Sequence, residues 1–516
     1  MRRLAAVAGL AIAVAVVATA IAAPLTGNVP VNQSTAETQE APRVALQPGG
    51  GFLVAWEERD LGNGEVYVRR FGADGAPLTG AAPVATATLR QEAPDIDTAP
   101  DGSAVVTWTD GGTGDRDVLA QRLTAAGSPT GAAIAVEDGA GTQEFSRVAV
   151  SPDGTFSVVW ADAPSGGQED IYMARYEPDG DLIDDFAVVA RADYQLDPDV
   201  AALPDGTLVV AFWDRFLGQV RARRFEADGD QIGSELSVGA DAVGFFGPGR
   251  ASVDADATGF TVAFELDDTT FVRRFAEDGT PVTGAVTVGT FPLENPFAAT
   301  APDGRSVVAW TAPAGAEAVL REYSATLGAD GGAQDVSATG NAGQPFPRGV
   351  AADADGFVVV WDADDADETG VYARRFSWGG GTAATPTATP VATEDPSPAP
   401  AATATATPTP TPSKAAPQVK LADVVRGLPS TRRCVSRRNF RIRLREPKGT
   451  DIRRATVKVD GKLVATRKGK RVTAPVDLRG LPKGRFKVEI RVTTTTGRVI
   501  KGTRKYRTCA TRKKSR

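Results

Sequence analysis

A repeated unit of about 50 residues fills residues 23–378 of this 516-residue chain. In each copy a glycine turn, often Pro-Asp-Gly, is followed by an apolar run that ends in a large aromatic residue. Successive aromatic anchors are 52, 52, 52, 52, 46 and 51 residues apart, and they are Trp56, Trp108, Trp160, Phe212, Phe264, Trp310 and Trp361. Copies at a nearly constant period predict similar structural units, each burying its apolar face against its neighbours.

Within each unit the pattern is that of short strands separated by turns. A polar loop follows the anchor, and the next strand ends in arginine plus an aromatic or apolar residue, except in the sixth unit, which has Glu322-Tyr323. The six arginine pairs are Arg70-Phe71, Arg122-Leu123, Arg175-Tyr176, Arg224-Phe225, Arg274-Phe275 and Arg375-Phe376. A second glycine turn and a short strand complete the unit, without a helical period. About four strands per unit predict a β-propeller blade, so the expected fold class is all-β with a seven-bladed propeller.

The two ends of the repeat region complement each other. The seventh copy stops at Phe376, before its fourth strand, whereas residues 23–31 match residues 76–84, the fourth-strand region of the first copy. We therefore expect the mature N-terminal strand to complete the seventh blade. This pairing closes the ring and removes the sheet edges that an open array would expose.

The first 22 residues are typical of a secretory signal peptide. Arg2 and Arg3 precede an apolar run that ends in Ala20-Ile21-Ala22, an A-x-A cleavage pattern. The alternative is an uncleaved membrane anchor, because the run is nearly long enough to span a bilayer. We expect cleavage, no transmembrane segment afterwards, and a secreted, cell-envelope-associated protein.

The chain contains no histidine. This excludes Ser-His-Asp and Cys-His catalysis and any site that needs imidazole as a base or a metal ligand. The segment Ser-Pro-Asp-Gly-Thr at 151–155 resembles the Asp-box turn of sialidase propellers, but it lacks the spacer between Asp153 and Gly154. We expect no enzymatic activity and no catalytic residues; the alternative is a polysaccharide hydrolase or lyase that uses carboxylates.

The chain divides into two parts of opposite charge. Residues 418–516 carry 32 Lys and Arg against 6 Asp and Glu, a net charge of +26, which leaves −33 on the other 417 residues. Such a basic segment predicts attraction to anionic cell-wall or surface polymers, the alternative being a merely solvated basic surface. Without interleaved aromatic residues, specific nucleic-acid binding is not expected. The candidate polyanion-binding residues are Arg437, Arg438, Arg441, Arg443, Lys468, Lys470, Arg471, Lys513 and Lys514.

Between the two parts lies a Thr-, Pro- and Ala-rich segment at 379–417, which predicts a disordered, extended linker. Residues 418–516 return to strand patterns, including a hairpin pattern over 457–464 with an Asp-Gly turn. The only cysteines, Cys434 and Cys509, bracket this segment, and export predicts that they form a disulfide. Two free thiols with a catalytic or metal role are the alternative.

Two resemblances to known families follow from these motifs. Residues 350–361 (VAADADGFVVVW) and 371–376 (VYARRF) resemble the repeats of bacterial secreted and surface β-propeller proteins, and the resemblance covers 23–378. It implies a fold but no activity, and no catalytic residue is carried over from it. The basic segment resembles a bacterial Ig-like β-sandwich, which implies two packed sheets stapled by Cys434 and Cys509.

One acidic loop is a candidate metal site. The segment after Trp361 contains Asp362, Asp364, Asp365 and Asp367, and oxygen-rich loops of this kind can hold calcium. The alternative is a solvated acidic loop, and no other cofactor is expected. Taken together, the sequence predicts a monomeric, exported binding or adhesion protein in which the propeller recognises an unidentified ligand. A purely structural spacer is a further alternative.

Overall fold

The computed structural model divides the chain into two compact units, Met1–Thr387 and Ala388–Arg516. In the first unit it describes residues 22–34, 37–60, 63–85, 90–111, 116–137, 141–164, 167–191, 193–239, 250–266, 269–290, 296–312, 318–337, 345–364 and 369–379. In the second it describes residues 425–426, 441–444, 452–459, 462–468, 476–477, 485–494 and 499–507. Nearly all of the predicted signal peptide and linker lies outside these ranges. No helix within them is long and apolar enough to span a membrane.

The described part of the first unit consists of strands and turns. The strands are β1 (Ala23–Pro24), β2 (Val29–Pro30), β3 (Thr38–Leu46), β4 (Phe52–Asp60), β5 (Asn63–Phe71), β6 (Ala82–Pro83), β7 (Gln91–Thr98), β8 (Ala104–Asp110), β9 (Asp117–Leu123), β10 (Pro129–Glu137), β11 (Gly141–Val150), β12 (Phe156–Pro164), β13 (Asp170–Tyr176), β14 (Leu182–Val189), β15 (Gln195–Ala202), β16 (Leu208–Asp214), β17 (Gln219–Phe225), β18 (Gln231–Ser237), β19 (Ala251–Asp256), β20 (Gly259–Leu266), β21 (Thr269–Ala276), β22 (Val286–Thr290), β23 (Phe297–Thr300), β24 (Ser306–Thr311), β25 (Ala318–Tyr323), β26 (Ala329–Asp335), β27 (Phe346–Ala352), β28 (Gly356–Asp364) and β29 (Thr369–Ser377).

These strands form seven antiparallel sheets in a blade-like arrangement. Blades 1 to 6 contain four consecutive strands each, β3–β6, β7–β10, β11–β14, β15–β18, β19–β22 and β23–β26, and blade 7 contains β27–β29 with β1 and β2. The first strand of each blade contacts the first strand of the next, and β27 contacts β3, so the innermost strands form a closed ring. The repeat fold and the β-propeller architecture predicted from the sequence are confirmed.

The aromatic anchors lie between blades. Trp56, Trp108, Trp160 and Trp361 are fully buried. Trp108 in blade 2 belongs to the same apolar cluster as Val66 and Val68 of blade 1. Because each anchor fills the space against the preceding blade, truncating one to alanine is expected to cost about 3–5 kcal/mol.

The strand that ends in the arginine-aromatic motif makes contacts within its own blade and, in most blades, with the preceding one. Its aromatic residue stacks on the residue that starts the neighbouring strand, as in Phe52–Phe71 with ring centroids 5.0 Å apart. The arginine two residues before the aromatic one reaches the preceding blade: Arg69 Nη1 donates to Val31 O (2.8 Å), and Arg273 Nη1 donates to Val238 O (2.8 Å). An arginine at this position bonds the preceding blade in blades 1, 4, 5, 6 and 7, whereas blade 2 has Gln121 and blade 3 has Ala174 there.

The N-terminal segment completes blade 7, as predicted. Ala23 pairs with Ser377 and Val29 pairs with Ala373, both antiparallel. The Val31 N–H continues the ladder by donating to Val371 O (2.8 Å). The Val31 side chain is fully buried in the cluster shared by blades 7 and 1. The first and last strands of the ring thus share one blade.

The described part of the second unit is also all-β. Its strands are β30 (Val425–Arg426), β31 (Arg441–Leu444), β32 (Ile452–Val459), β33 (Lys462–Lys468), β34 (Val476–Asp477), β35 (Arg485–Thr494) and β36 (Val499–Arg507). They form one sheet in the order β30-β31-β34 and another in the order β33-β32-β35-β36. The predicted hairpin is present, with Val459 paired to Lys462. Cys434 and Cys509 lie outside the described residues, so the disulfide and the Ig-like sandwich stay predictions.

Candidate functional site

The innermost strands of the first four blades share a β-bulge that shapes the centre of the ring. Each contains a residue with a left-handed backbone, and the four residues are 52 positions apart: Ala41 (φ 52°), Ala93 (φ 51°), Phe145 (φ 57°) and Asp197 (φ 47°). The strand register shifts at each of these positions. For non-glycine residues this conformation is strained, and bulges of this kind commonly re-aim the side chains that follow.

The side chain two residues after each bulge residue lines the central channel. These residues are Arg43, Asp95, Arg147 and Asp199, and in the remaining blades the corresponding positions hold Ser252, Phe297 and Gly349. Two residues further along blades 2 and 5, Asp97 and Asp254 line the same cavity, whose volume is about 350 Å³. The channel of an otherwise apolar ring is therefore built from charged groups of both signs.

From blade 1 to blade 4 the charges in the channel alternate in sign. Arg43 Nε lies 3.5 Å from Asp95 Oδ1, and the Arg43 guanidinium lies 4.9 Å from the centre of the Phe297 ring. Burial lowers the pKa of the Arg43 guanidinium, and the nearby positive charge of Arg147 lowers it further. Arginine remains protonated at neutral pH despite such a shift. The arrangement holds two guanidinium groups near each other by surrounding them with carboxylates.

The channel carboxylates are bonded to the next blade. Asp95 Oδ2 accepts from Val148 N (2.9 Å), and Asp199 Oδ2 accepts from Val253 N (2.8 Å). These amides belong to innermost strands, whose channel-facing edges have no further strand to pair with in a propeller. A buried backbone N–H without an acceptor is costly, and the carboxylate of the preceding blade supplies one.

Asp97 and Asp254 also accept from two backbone N–H groups each, as does Asp199, whose Oδ1 accepts from Val200 N (3.0 Å). Asp97 accepts from Val150 N and from Thr98 N, both at 2.7 Å. Asp254 accepts from Thr300 N (2.7 Å) and from Ala255 N (2.8 Å). In both residues each carboxylate oxygen serves one bond, so the carboxylates join successive blades and leave no oxygen without a structural bond.

Burial gives these carboxylates unusual acidity. It raises the pKa of Asp97 and of Asp254 to about 7 and that of Asp199 to about 6, and the backbone N–H bonds offset only part of the rise. Repulsion among the carboxylates adds to it, since Asp254 raises the pKa of Asp97. Chemically, the channel can take up and release protons near neutral pH.

A chain of ion pairs runs across blades 1 to 3 where the innermost strands begin. Glu57 is 2% exposed and pairs with Arg59 Nε (2.7 Å) and with Arg90 Nη2 (3.2 Å). The chain alternates acid and base in the order Glu40, Arg59, Glu57, Arg90, Glu92, Arg116 and Glu144. Networks of this kind fix the relative position of their members more than they add stability. Its carboxylates are engaged by arginines of the same network.

The predicted calcium residues fall into three situations. Asp362 is buried and accepts from Arg348 Nε (2.8 Å) and from Ala41 N (3.1 Å), so it joins blade 7 to blade 1. Asp364 is exposed at the end of β28, and Asp365 and Asp367 lie outside the described residues. No group of three or more acidic or cysteine side chains in the described ranges could hold a metal ion. Calcium binding stays a prediction.

The predicted polyanion residues lie partly on described strands. Arg441 and Arg443 belong to β31, and Lys468 ends β33. The other six lie outside the described residues: Arg437, Arg438, Lys470, Arg471, Lys513 and Lys514.

A set of buried glutamines was missed by sequence reasoning. Gln39, Gln91, Gln143 and Gln195 are fully buried and 52 residues apart. Gln91 Oε1 accepts from Val66 N of the preceding blade (3.1 Å). The signal that could have found them is a polar residue recurring with the period of the core.

The chain has no match among protein-family models. It has no match among curated proteins. Among solved structures, a protein of unknown function from Dyadobacter fermentans DSM 18053 is similar at 11% identity over 68% of this chain and 98% of that one, with a TM-score of 0.41.

Two further similar structures are a sialidase and a propeller. Trypanosoma rangeli sialidase in complex with the inhibitor DANA is 11% identical over 68% of this chain, which spans 57% of the sialidase, with a TM-score of 0.39. The Dos1 propeller is 8% identical over 67% of this chain and 95% of its own, with a TM-score of 0.37. At these identities the likeness concerns the fold alone, and no activity or site residue is carried over.

Proposed function

We propose that this chain is an exported, cell-envelope-associated binding protein. Its seven-bladed propeller is the recognition platform, and its basic, disulfide-stapled Ig-like unit attaches to anionic cell-wall or surface polymers. The observation that carries the proposal is the division of charge, +26 on residues 418–516 against −33 on the rest. A solubility requirement explains neither the size nor the separation of the two charges, whereas attraction of one unit to a polyanion explains both.

The state of the channel carboxylates favours binding over catalysis. A hydrolase that works with two carboxyl groups needs one as acid and the other as base or nucleophile, both open to substrate. Asp97 and Asp254 have the raised pKa that such an acid needs, but each of their oxygens already accepts a backbone N–H. Both carboxylates therefore serve to join blades, and neither has an oxygen free to act on a substrate.

The proposal is tested by salt-dependent binding of the full-length protein to purified cell walls. We expect binding that weakens steeply between about 50 and 500 mM NaCl, because attraction between charges is screened by salt. The double variant Lys513→Gln/Lys514→Gln is expected to bind more weakly, with a shallower dependence on salt. The matched control is Arg215→Gln/Arg305→Gln, which removes two positive charges from the propeller and should leave binding unchanged.

Two outcomes contradict the proposal. Binding that is absent, or that does not change with salt, would remove the role of the basic unit. Equal loss of binding in both double variants would show that net charge alone is responsible. Release of reducing sugar from the walls would instead support the polysaccharide hydrolase.

A further inference from the structure

The first position of each Pro-Asp-Gly-type turn, here called the turn-opening position, holds different residues in different blades. The backbone N–H of this residue donates to the backbone oxygen of the residue that ends the turn. In blade 1 the turn-opening residue is Gln47, which donates to Gly51 O (2.7 Å). Gln47 Nε2 crosses to blade 2 and donates to Gly102 O (2.6 Å) and Ala125 O (2.9 Å). Gln47 Oε1 accepts from Arg70 Nε (2.7 Å). One side chain thus fills the gap between two blades and pairs an arginine.

In blade 2 the turn-opening position holds Ala99, whose methyl side chain can neither fill the gap between two blades nor accept a hydrogen bond from an arginine. A cavity of about 590 Å³ lies there, between the turns of blades 2 and 3. Its walls include Val105 and Leu123 from blade 2 and Phe156 from blade 3, and Arg122 lines it as well. This volume is within the range of cavities that hold small molecules, about 300–1,000 Å³.

Arg122 corresponds to Arg70, and it lacks the side-chain acceptor that blades 1, 3, 5 and 7 provide. Arg175 pairs with Asp184 (2.8 Å), Arg375 pairs with Asp353 (3.0 Å), and Arg274 pairs with Asp256. Arg122 Nη1 donates to the backbone oxygen of Pro178 (3.0 Å), whereas its Nε is buried without an acceptor among the described residues. No carboxylate in the described ranges lies within ion-pair distance of Arg122.

Blade 4 has a similar arginine but a different turn-opening residue. Arg224 also donates only to a backbone oxygen, that of Glu277 (2.7 Å), among the bonds described. Its turn-opening residue is Leu203, which is 1% exposed and packs in one apolar cluster with Phe260 and Val262 of blade 5. Blade 2 combines the unpaired arginine with the missing side chain, so the cavity there has apolar walls and one uncompensated guanidinium.

We propose that this cavity binds a small organic monocarboxylate with an apolar body. The carboxylate takes the place of the acceptor that Gln47 supplies in blade 1 and bonds the Arg122 guanidinium, and the apolar body packs on Val105, Leu123 and Phe156. A charge-assisted bond of this kind is the strong type. Asp101 and Asp153 also line the cavity, and both are exposed and bonded to their own turns. Their negative charge repels a dianion more strongly than a monoanion, which favours a ligand with a single carboxylate.

Calorimetric titration of the full-length protein tests the proposal with three probes of one shape. They are 4-phenylbutyrate, its neutral amide and the corresponding amine. We expect saturable one-to-one binding of the carboxylate, binding of the amide that is at least about 10-fold weaker, and no binding of the amine. The variant Ala99→Gln copies blade 1, so it should abolish binding while its melting temperature is unchanged or higher.

Arg122→Gln is expected to remove the preference for the carboxylate over the amide. Its matched control, Arg224→Gln, changes the equivalent arginine of blade 4 and should bind all three probes as the native chain does. The proposal is overturned if 4-phenylbutyrate does not bind at millimolar concentration, if the amide or the amine binds equally well, or if Ala99→Gln binds normally. Failure here leaves the cell-wall experiment unaffected, because the two sites lie in different units.

Discussion

At the scale of single residues, each channel aspartate stabilises the fold and also has a pKa that its burial raises. Asp97 and Asp254 complete the hydrogen bonding of strand edges in the blades that follow them. The same burial that makes these bonds strong raises the pKa of each carboxyl group to about 7. A structural bond and a proton-binding site are therefore the same feature.

The raised pKa values predict a pH dependence of stability. Between the ordinary carboxyl value near 4 and pH 7, the folded protein holds protons that the unfolded chain releases. The contribution of these groups is therefore fully present below pH 4 and is lost as the pH rises through 7. We expect the melting temperature of the propeller to fall between pH 5 and pH 8, measured by calorimetry.

The double variant Asp97→Asn/Asp254→Asn cannot titrate at these positions, so its melting temperature should change less over the same range. The control Asp355→Asn/Asp364→Asn removes two exposed carboxylates and should keep the native dependence. An identical dependence in the native chain and the channel variant would contradict the assigned titration.

At the scale of elements, the sequence predicts blades well because the period of the repeat is the period of the structure. The aromatic anchors marked the interblade core, and the match of 23–31 to 76–84 identified the closing strand. The bulge was not predictable, because Ala41 and Ala93 look like ordinary strand residues and their left-handed backbone appears only in the folded ring. For the same reason the channel aspartates could not be separated from turn aspartates.

The cavity beside Arg122 was equally hidden from sequence reasoning. Arg122 appeared as one of six similar arginines, and Ala99 as one small residue near a turn. Their role becomes visible only when the turn-opening residue Ala99 is compared with its equivalents, Gln47 in blade 1 and Leu203 in blade 4. A cavity left by a small residue can be predicted only when the residues that surround it in the neighbouring blade are known.

The closing strand gives a prediction at the scale of elements. Val31 is fully buried between blades 7 and 1, whereas Leu25, on the same N-terminal segment, is 48% exposed. Val31→Asp places an unpaired charge in the core and should reduce the free energy of unfolding by about 3 kcal/mol or more. Leu25→Asp should change it by about 0.5 kcal/mol or less.

Denaturant unfolding of the full-length protein, followed by tryptophan fluorescence, measures both variants. Equal stability of Val31→Asp and Leu25→Asp would mean that the N-terminal segment is not needed for the ring. A loss confined to Val31→Asp would show that the last blade depends on a strand from the other end of the propeller.

At the scale of the whole molecule, we expect the two units of the chain to rely on different sources of stability. The propeller unit has an extensive core and contains no cysteine, and the basic unit contains both cysteines of the chain. In the basic unit the described core includes Val457 on β32 and Val488 and Val492 on β35, the strand paired with β32. All three side chains are fully buried. The net charge of +26 on residues 418–516 implies strong self-repulsion, which the predicted disulfide between Cys434 and Cys509 would help to overcome.

This difference predicts that reduction affects the two units unequally. A bond between Cys434 and Cys509 closes a loop of 509 − 434 = 75 residues, which corresponds to about 4 kcal/mol in the chain-entropy account. Differential scanning calorimetry of the full-length protein should show two transitions, of which dithiothreitol lowers only one. The Cys434→Ser/Cys509→Ser variant should reproduce the reduced trace without any reductant. If dithiothreitol shifts neither transition, the disulfide is absent and the basic unit is held by its sheets alone; if it shifts both, the two units do not unfold independently.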